Sequence, residues 1–278
     1  MIEASTAASL AEFRAACTGT VGFVPTMGAL HAGHEALIKT ARETCDHVVV
    51  SIFVNPTQFA PNEDFASYPR NHEVDIATCM NLGVDALFVP TEDVIYPAGD
   101  TSANYEPNPD LASVMCGKSR PHFFYGVCNV VERLFRLVAP THAFFGDKDL
   151  QQRVVIEHMV ADLDLGITIV PCPIVRDEKG MALSSRNDYL DDEGYERALN
   201  ISRALHDARQ HVRTSQWSTH RVRQFLAAEL EGRGLKGDYV EVFRPSSASI
   251  VTGEIQPGDY CCVAVVCDTV RLIDNISF

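Results

Sequence analysis

The sequence predicts an α/β chain in which a doubly wound parallel sheet precedes a smaller α+β domain. Three observations carry this. Short apolar runs alternate with amphipathic stretches through the first 175 residues, the pattern changes after Pro171-Cys172-Pro173, and the polar, glycine-bearing segments fall just after the apolar runs. The expected division is residues 1–174 and residues 175–278, within the range of about 150 residues per domain.

Taken in order, Val21–Val24 reads as a strand, and Glu35 opens a helix. Val48–Val54 and Val84–Val89 are further strands, separated by the three-to-four residue periodicity of Glu73–Leu82. Glu92–Pro109, rich in turn residues, reads as a surface loop or an edge strand. Val130–Val138 is helical, Ala143–Phe145 a strand, Leu150–Ile156 the start of a helix and Ile167–Val170 a last strand of the first domain. Asp191–Arg213 and Thr219–Glu231 then read as helices, and Tyr239–Phe243, Tyr260–Val266 and Val270–Ile273 as strands. Met27, Gln58 and Lys148 each follow a strand, which puts them on the rim where doubly wound sheets bind ligands.

Composition narrows the function. With 46% hydrophobic residues the chain can bury a large core, and no run of about 18 apolar residues suggests a membrane span. The balance of 23 basic against 37 acidic residues, net −14, argues against nucleic acid or a membrane surface as partner, so an anionic ligand must be held locally. The N-terminus has no basic stretch before an apolar core and does not read as a signal peptide. Nine cysteines without any C-x-x-C pair fit reduced thiols in the cytoplasm rather than a metal or disulfide framework.

Three segments carry chemistry. Pro25-Thr26-Met27-Gly28-Ala29-Leu30-His31-Ala32-Gly33-His34 forms a strand-to-helix turn, where backbone N–H groups and the helix dipole favour phosphate. Its two imidazoles, three apart, share one face of a helical turn and can serve one phosphate, although the same H-x-x-H spacing could hold a metal. Gly146-Asp147-Lys148-Asp149 places a cation at a second such turn. Leu183-Ser184-Ser185-Arg186 offers hydroxyls and a guanidinium suited to a polyphosphate, or else caps the next helix.

Together with Val50–Phe59, Phe145–Gln152, Gly180–Asn187 and the ending Val270–Asn275, these segments closely resemble the pantothenate synthetase (pantoate–β-alanine ligase) family across nearly the whole chain. Below that level, His31–His34 and Ser184–Arg186 look like the two signatures of the nucleotidylyltransferase superfamily. The resemblance implies a Rossmann-like N-terminal domain, a C-terminal lid, a cytoplasmic homodimer, and ATP, pantoate and β-alanine as substrates. It places ATP against Met27, Gly28, Ala29, Leu30, His31, Ala32, Gly33 and His34, against Gly146, Asp147, Lys148 and Asp149, and against Val175 and Leu183, Ser184, Ser185 and Arg186. It gives His34 the proton-donor role and makes Gln58 and Gln152 the pantoate ligands, Gln58 also lying near β-alanine. His31, Lys148 and Arg186 suit the charge stabilisation that carboxylate attack on phosphorus demands. Mg²⁺ is expected through the nucleotide phosphates, with no protein ligand named.

The chain departs from the family pattern at Arg120-Pro121-His122-Phe123-Phe124-Tyr125-Gly126-Val127, where Phe123 stands in place of a histidine and His122 lies one position earlier. Either His122 reaches the pocket through a shifted backbone, or an imidazole there is not essential. Gly-Asp-Lys-Asp in place of Gly-Glu-Lys-Asp keeps Lys148 and is milder. Two other functions compete: a nucleotidylyltransferase that leaves its nucleotide on the product, which gives no reason for Gln58 and Gln152, and a non-catalytic nucleotide sensor.

Overall fold

The structure is a computed structural model that describes residues 1–278 apart from Asn62 and Ser102. Numbered in chain order among the described residues, the strands are β1 (Ile2–Ala4), β2 (Val21–Thr26), β3 (His47–Ile52), β4 (Ala86–Phe88), β5 (His142–Gly146), β6 (Thr168–Cys172), β7 (Lys236–Arg244), β8 (Ser249–Ile250), β9 (Tyr260–Cys267) and β10 (Val270–Ser277). The helices are α1 (Ala7–Ala16), α2 (Ala32–Thr44), α3 (His72–Asn81), α4 (Glu92–Ile95), α5 (Pro109–Ala112), α6 (Cys116–Ser119), α7 (Phe123–Val138), α8 (Leu150–Asp162), α9 (Asp192–Ser215) and α10 (Thr219–Gly232). The chain divides into two compact units. Residues 1–108, 122–147 and 155–173 form the first, and residues 109–121, 148–154 and 174–278 the second.

The first unit is built on a six-stranded sheet in the order β1-β4-β3-β2-β5-β6, every neighbouring pair parallel. A parallel sheet covered on both faces needs strands that are apolar on both sides. Val48, Val49 and Val50 of β3 are accordingly all fully buried, which is why these strands read as unbroken apolar runs. Pro25 is tolerated in the centrally placed β2 because pairing with β5 stops at Phe23. From β2 the order steps outward to β3 and β4 on one side and to β5 and β6 on the other, so the topological switch lies between β2 and β5. β1 has no periodic signal in the sequence; it exists through its parallel pairing with β4. Between Glu92 and Asn108 the described residues form α4 and then irregular chain, so this stretch is a loop; Ser102 lies outside the described residues.

The second unit carries an antiparallel sheet in the order β10-β9-β7-β8. Leu199 and Leu205 of α9 and Val222 and Leu226 of α10 bury against Val263 and Val265 of β9 in one apolar cluster. Asp191 caps α9 by accepting the Gly194 N–H at 2.7 Å. The boundary at 173/174 lies beside the pattern change in the sequence, while residues 109–121 and 148–154 are tied to each other by a buried glutamine and to the C-terminal sheet by Ser119, which donates to Asp238, and by Asn275, which donates to the Lys148 carbonyl. Gln151 donates to the carbonyls of Leu111 and Val114 at 2.8 Å each and accepts the Cys116 N–H at 3.0 Å. All nine cysteines are unpaired among the described residues, and all but Cys17 are buried.

Candidate active site

At the switch point, β2 ends and the chain turns through Met27–Leu30 into α2. His31 is the N-cap of that helix: its Nδ1 accepts the Gly33 N–H at 3.1 Å, while His34 Nδ1 accepts the His31 N–H at 3.4 Å. Two histidines thus form a reciprocal cap of the kind usually made by Ser or Thr with Glu. An imidazole that accepts at Nδ1 carries its proton at Nε2 when neutral, so the cap fixes both rings as Nε2–H donors. The ring centroids are 4.1 Å apart and tilted by 38°, close enough for both to serve one phosphate.

The amides of this turn are used differently from the sequence expectation. Gly28 N–H donates to Thr26 Oγ1 at 3.1 Å, and the Ala29 and Leu30 N–H groups donate to the carboxylate of Asp75. The N–H groups of Gly28, Ala29 and Leu30 are therefore taken up within the protein.

Gln58 ends a 3₁₀ turn, Pro56–Gln58, that follows β3. Its Nε2 donates to Met27 Sδ at 3.0 Å, so the first unit brings Gln58 to the start of the histidine turn. Buried Asn55 organises this corner: Nδ2 donates to Gln58 Oε1 and to the Gly126 carbonyl at 3.1 Å each, and Oδ1 accepts the Tyr96 hydroxyl at 2.7 Å. Gly126 is required by close approach, since a Cβ there would overlap the Thr57 carbonyl oxygen. Phe123, in the first turn of α7, packs edge-on against Phe124 with centroids 5.0 Å apart, whereas His122 is exposed and makes no capping bond. Gly146 and Asp147 close β5 on the same rim.

The second unit holds the remaining predicted residues. Lys148 is mostly buried, with Nζ 3.8 Å from Asp149 Oδ2, and its carbonyl accepts from Asn275 Nδ2 at 3.1 Å. Gln152 is half-buried on the first turn of α8. Val175 and Leu183 are opposed in a short hairpin, the Leu183 N–H donating to the Val175 carbonyl at 3.0 Å. Arg176 in that hairpin grips Asp274 of β10 with both guanidinium arms, at 2.7 and 2.8 Å. The adjacent Asp274 and Asn275 thus hold the hairpin and Lys148 together, which accounts for the Leu-Ile-Asp-Asn ending. Ser184 caps the 3₁₀ turn Ser185–Tyr189 by accepting the Arg186 N–H at 3.3 Å, so the capping role coexists with any phosphate role.

Sequence reasoning overlooked Asp75, Asn55, Asp177 and the Arg176 to Asp274 pair. Asp75 had a signal: it shares the buried face of α3 with Cys79, a charged residue on an apolar helix face. Among the described residues no group of three or more His, Cys, Asp or Glu side chains is arranged to hold a metal, and no helix is long and apolar enough to cross a membrane.

A doubly wound parallel sheet with an imidazole pair beyond its switch point defines a nucleotide-binding α/β enzyme. The family model described as pantoate-beta-alanine ligase matches residues 3–277. The pantothenate synthetase of Campylobacter fetus is 45% identical over 267 residues, covering 96% of each chain. A bifunctional pantoate ligase/cytidylate kinase of Thermosynechococcus vestitus is 46% identical over 262 residues, and the match spans only 50% of that longer protein. Among solved structures, the pantothenate synthetase of Thermus thermophilus superposes with a TM-score of 0.92 at 41% identity, covering 99% of both chains. The pantoate-beta-alanine ligase of Francisella tularensis, in complex with beta-gamma ATP and beta-alanine, gives 0.83 at 35% identity, covering 100% of this chain and 97% of that one. The chain belongs to the pantoate–β-alanine ligase family.

Proposed function

We propose that the chain condenses pantoate with β-alanine at the expense of ATP, in the synthesis of pantothenate, the coenzyme A precursor. The observation that carries this is the reciprocally capped His31/His34 pair at the switch point, in a chain that matches the family from residue 3 to residue 277. In the first step a pantoate carboxylate oxygen attacks the α-phosphorus of ATP. A new P–O bond forms, the α–β bridging P–O bond breaks, and pyrophosphate leaves. In the second step the β-alanine amine attacks the acyl carbon, the acyl–O bond to AMP breaks, and the amine gives up a proton.

Two anions meet in the first step, so the site must offset repulsion as charge moves to the leaving group. His34 and His31 donate from Nε2 to phosphate oxygens, and Lys148 and Arg186 supply fixed positive charge. Met27–His34, Gly146–Asp149, Val175 and Leu183–Arg186 bind ATP. Gln58 and Gln152 hold pantoate, the amide serving carboxylate and hydroxyl together, and Gln58 also meets β-alanine. Mg²⁺ would neutralise the nucleotide phosphates, whose oxygens suit it. By the same reading residues 1–174 bind nucleotide and pantoate, residues 175–278 act as a lid, and the chain works in the cytoplasm as a homodimer, which light scattering checks.

The test is mass spectrometry of a reaction containing ATP, Mg²⁺, pantoate and β-alanine. Pantothenate and free AMP in equal amounts are expected. A product that retains the nucleotide would make the chain a nucleotidylyltransferase of another kind, and no turnover would make it a sensor.

A further inference from the structure

One acidic side chain shapes the turn that carries the histidines. Asp75, in the first turn of α3, is 1% exposed, and both carboxylate oxygens accept backbone N–H groups: Oδ2 from Ala29 at 2.9 Å and Oδ1 from Leu30 at 2.8 Å. The turn it grips is conformationally costly. Gly28 has φ +83°, and a Cβ there would lie 3.0 Å from Asp75 Oδ2 and 3.0 Å from Ile52 Cγ2. Ala29 has φ +49°, a left-handed conformation that a residue with a Cβ keeps only where its surroundings enforce it. N–H bonds to a carboxylate are roughly twice as strong as neutral ones, and a single carboxylate can accept from two successive amides. An amide side chain offers one acceptor and opposes the second N–H with its own NH₂.

A buried negative charge beside a site for an anionic nucleotide is unfavourable on electrostatic grounds alone, so its presence asks for a geometric return. Leu30 immediately precedes His31, and His31 both caps α2 and receives the reciprocal contact from His34. We propose that Asp75 is a positioning residue for adenylate formation. By clamping the Ala29 and Leu30 amides it fixes where the His31 cap begins and hence where the two Nε2–H donors stand. It also withholds those amides from phosphate, leaving the imidazoles to meet the developing charge. This rests on the reading of the turn as the nucleotide site.

The test combines hydrogen exchange with single-turnover chemistry, using the full chain with ATP, Mg²⁺ and pantoate. In the unmodified protein the Ala29 and Leu30 amides should exchange slowly, like those of β2. In Asp75→Asn at least one should lose protection by about tenfold or more, with the exchange of β3 and the affinity for pantoate unchanged. Adenylate formation should slow by about 10- to 100-fold, the scale of a small misplacement of catalytic groups. Exchange of both amides at exposed-loop rates in the unmodified protein would overturn the clamp even if the variant failed to fold. Lost protection in Asp75→Asn with adenylation within twofold would overturn the positioning role. His34→Ala separates the two ideas in that event: if it is slow, only the clamp has failed, and if it too is unimpaired, the nucleotide-site reading has failed and takes the clamp with it.

Discussion

His31 and His34 owe their tautomer to their backbone neighbours. With each Nδ1 engaged in the cap of α2, the proton of the neutral ring is directed to Nε2. Losing such a donor or the Lys148 cation should expose the full cost of charge build-up on the phosphoryl group. His34→Ala and Lys148→Ala are each expected to slow adenylate formation by at least ~10²-fold in rapid quench, and near-normal rates in both would refute the assignment. Phe123 makes the complementary case. It packs against Phe124, and its neighbour His122 is exposed, so this position contributes shape. Phe123→His is expected to change kcat by less than about tenfold, or ~1.4 kcal/mol at the barrier. A large gain there, paired with a large loss in His122→Ala, would mean that an imidazole in this loop does chemistry.

At the scale of elements, the hairpin holding Val175 and Leu183 is fastened by two acids. Asp274 takes the Arg176 fork, and Asp177 accepts the Tyr195 hydroxyl and the amides of Lys179 and Met181. Burial alone would raise the Asp177 pKa, but these donors, with the Gly180 amide, outweigh it and hold the carboxyl below its usual value. The same contact pushes the Tyr195 phenol up to about 12, the hydrogen bond to Asp177 being the largest cause and burial the next. The sign for Asp177 is that of a depressed acid: its contribution is complete above the unfolded value of about 3.9 and lost as pH falls through the lower folded value. Tyr195 works in the opposite direction, its contribution being present below about pH 10 and lost as pH climbs toward 12. Asp177→Asn should therefore flatten the acid limb of denaturant stability below about pH 4 and cost about 1 kcal/mol at neutral pH. Superimposable acid limbs would show that Asp177 is not held in this way.

The whole molecule carries a formal charge of −14, and the ATP proposed as its substrate is itself an anion. Beyond a Debye length an approaching nucleotide meets net repulsion, and in the proposed reading only at short range would Lys148, Arg186 and the α2 N-terminus act on it. Raising ionic strength from about 0.01 to 0.15 M shortens the screening length from roughly 30 to 8 Å and should speed ATP association by about two- to fivefold in stopped flow. A rate that falls with salt would mean that positive potential around the site outweighs the net charge.

Much of this architecture is written locally. β3 is legible because a doubly covered parallel strand must be apolar on both faces, α2 because its capping turn is continuous in sequence, and the histidine pair because both rings lie within one turn. The particular contacts were decided only by tertiary structure. β1 has too few residues for a periodic signal and is defined by its partner β4, far along the chain, in the register Ile2 to Ala86. Residues 109–121 join residues 148–154 because Gln151 satisfies the carbonyls of Leu111 and Val114, a match that no local pattern encodes. Gly126 announces an exception in a helix, but only the Thr57 carbonyl pressed against the place of its missing Cβ says why. Asp75 is the sharpest instance. Its sequence position marks a charge on an apolar face, and folding alone supplies the two amides that make burying that charge worthwhile. Hydrophobic periodicity is a property of neighbours along the chain and can be read there, whereas satisfaction of buried polar groups is a property of neighbours in space.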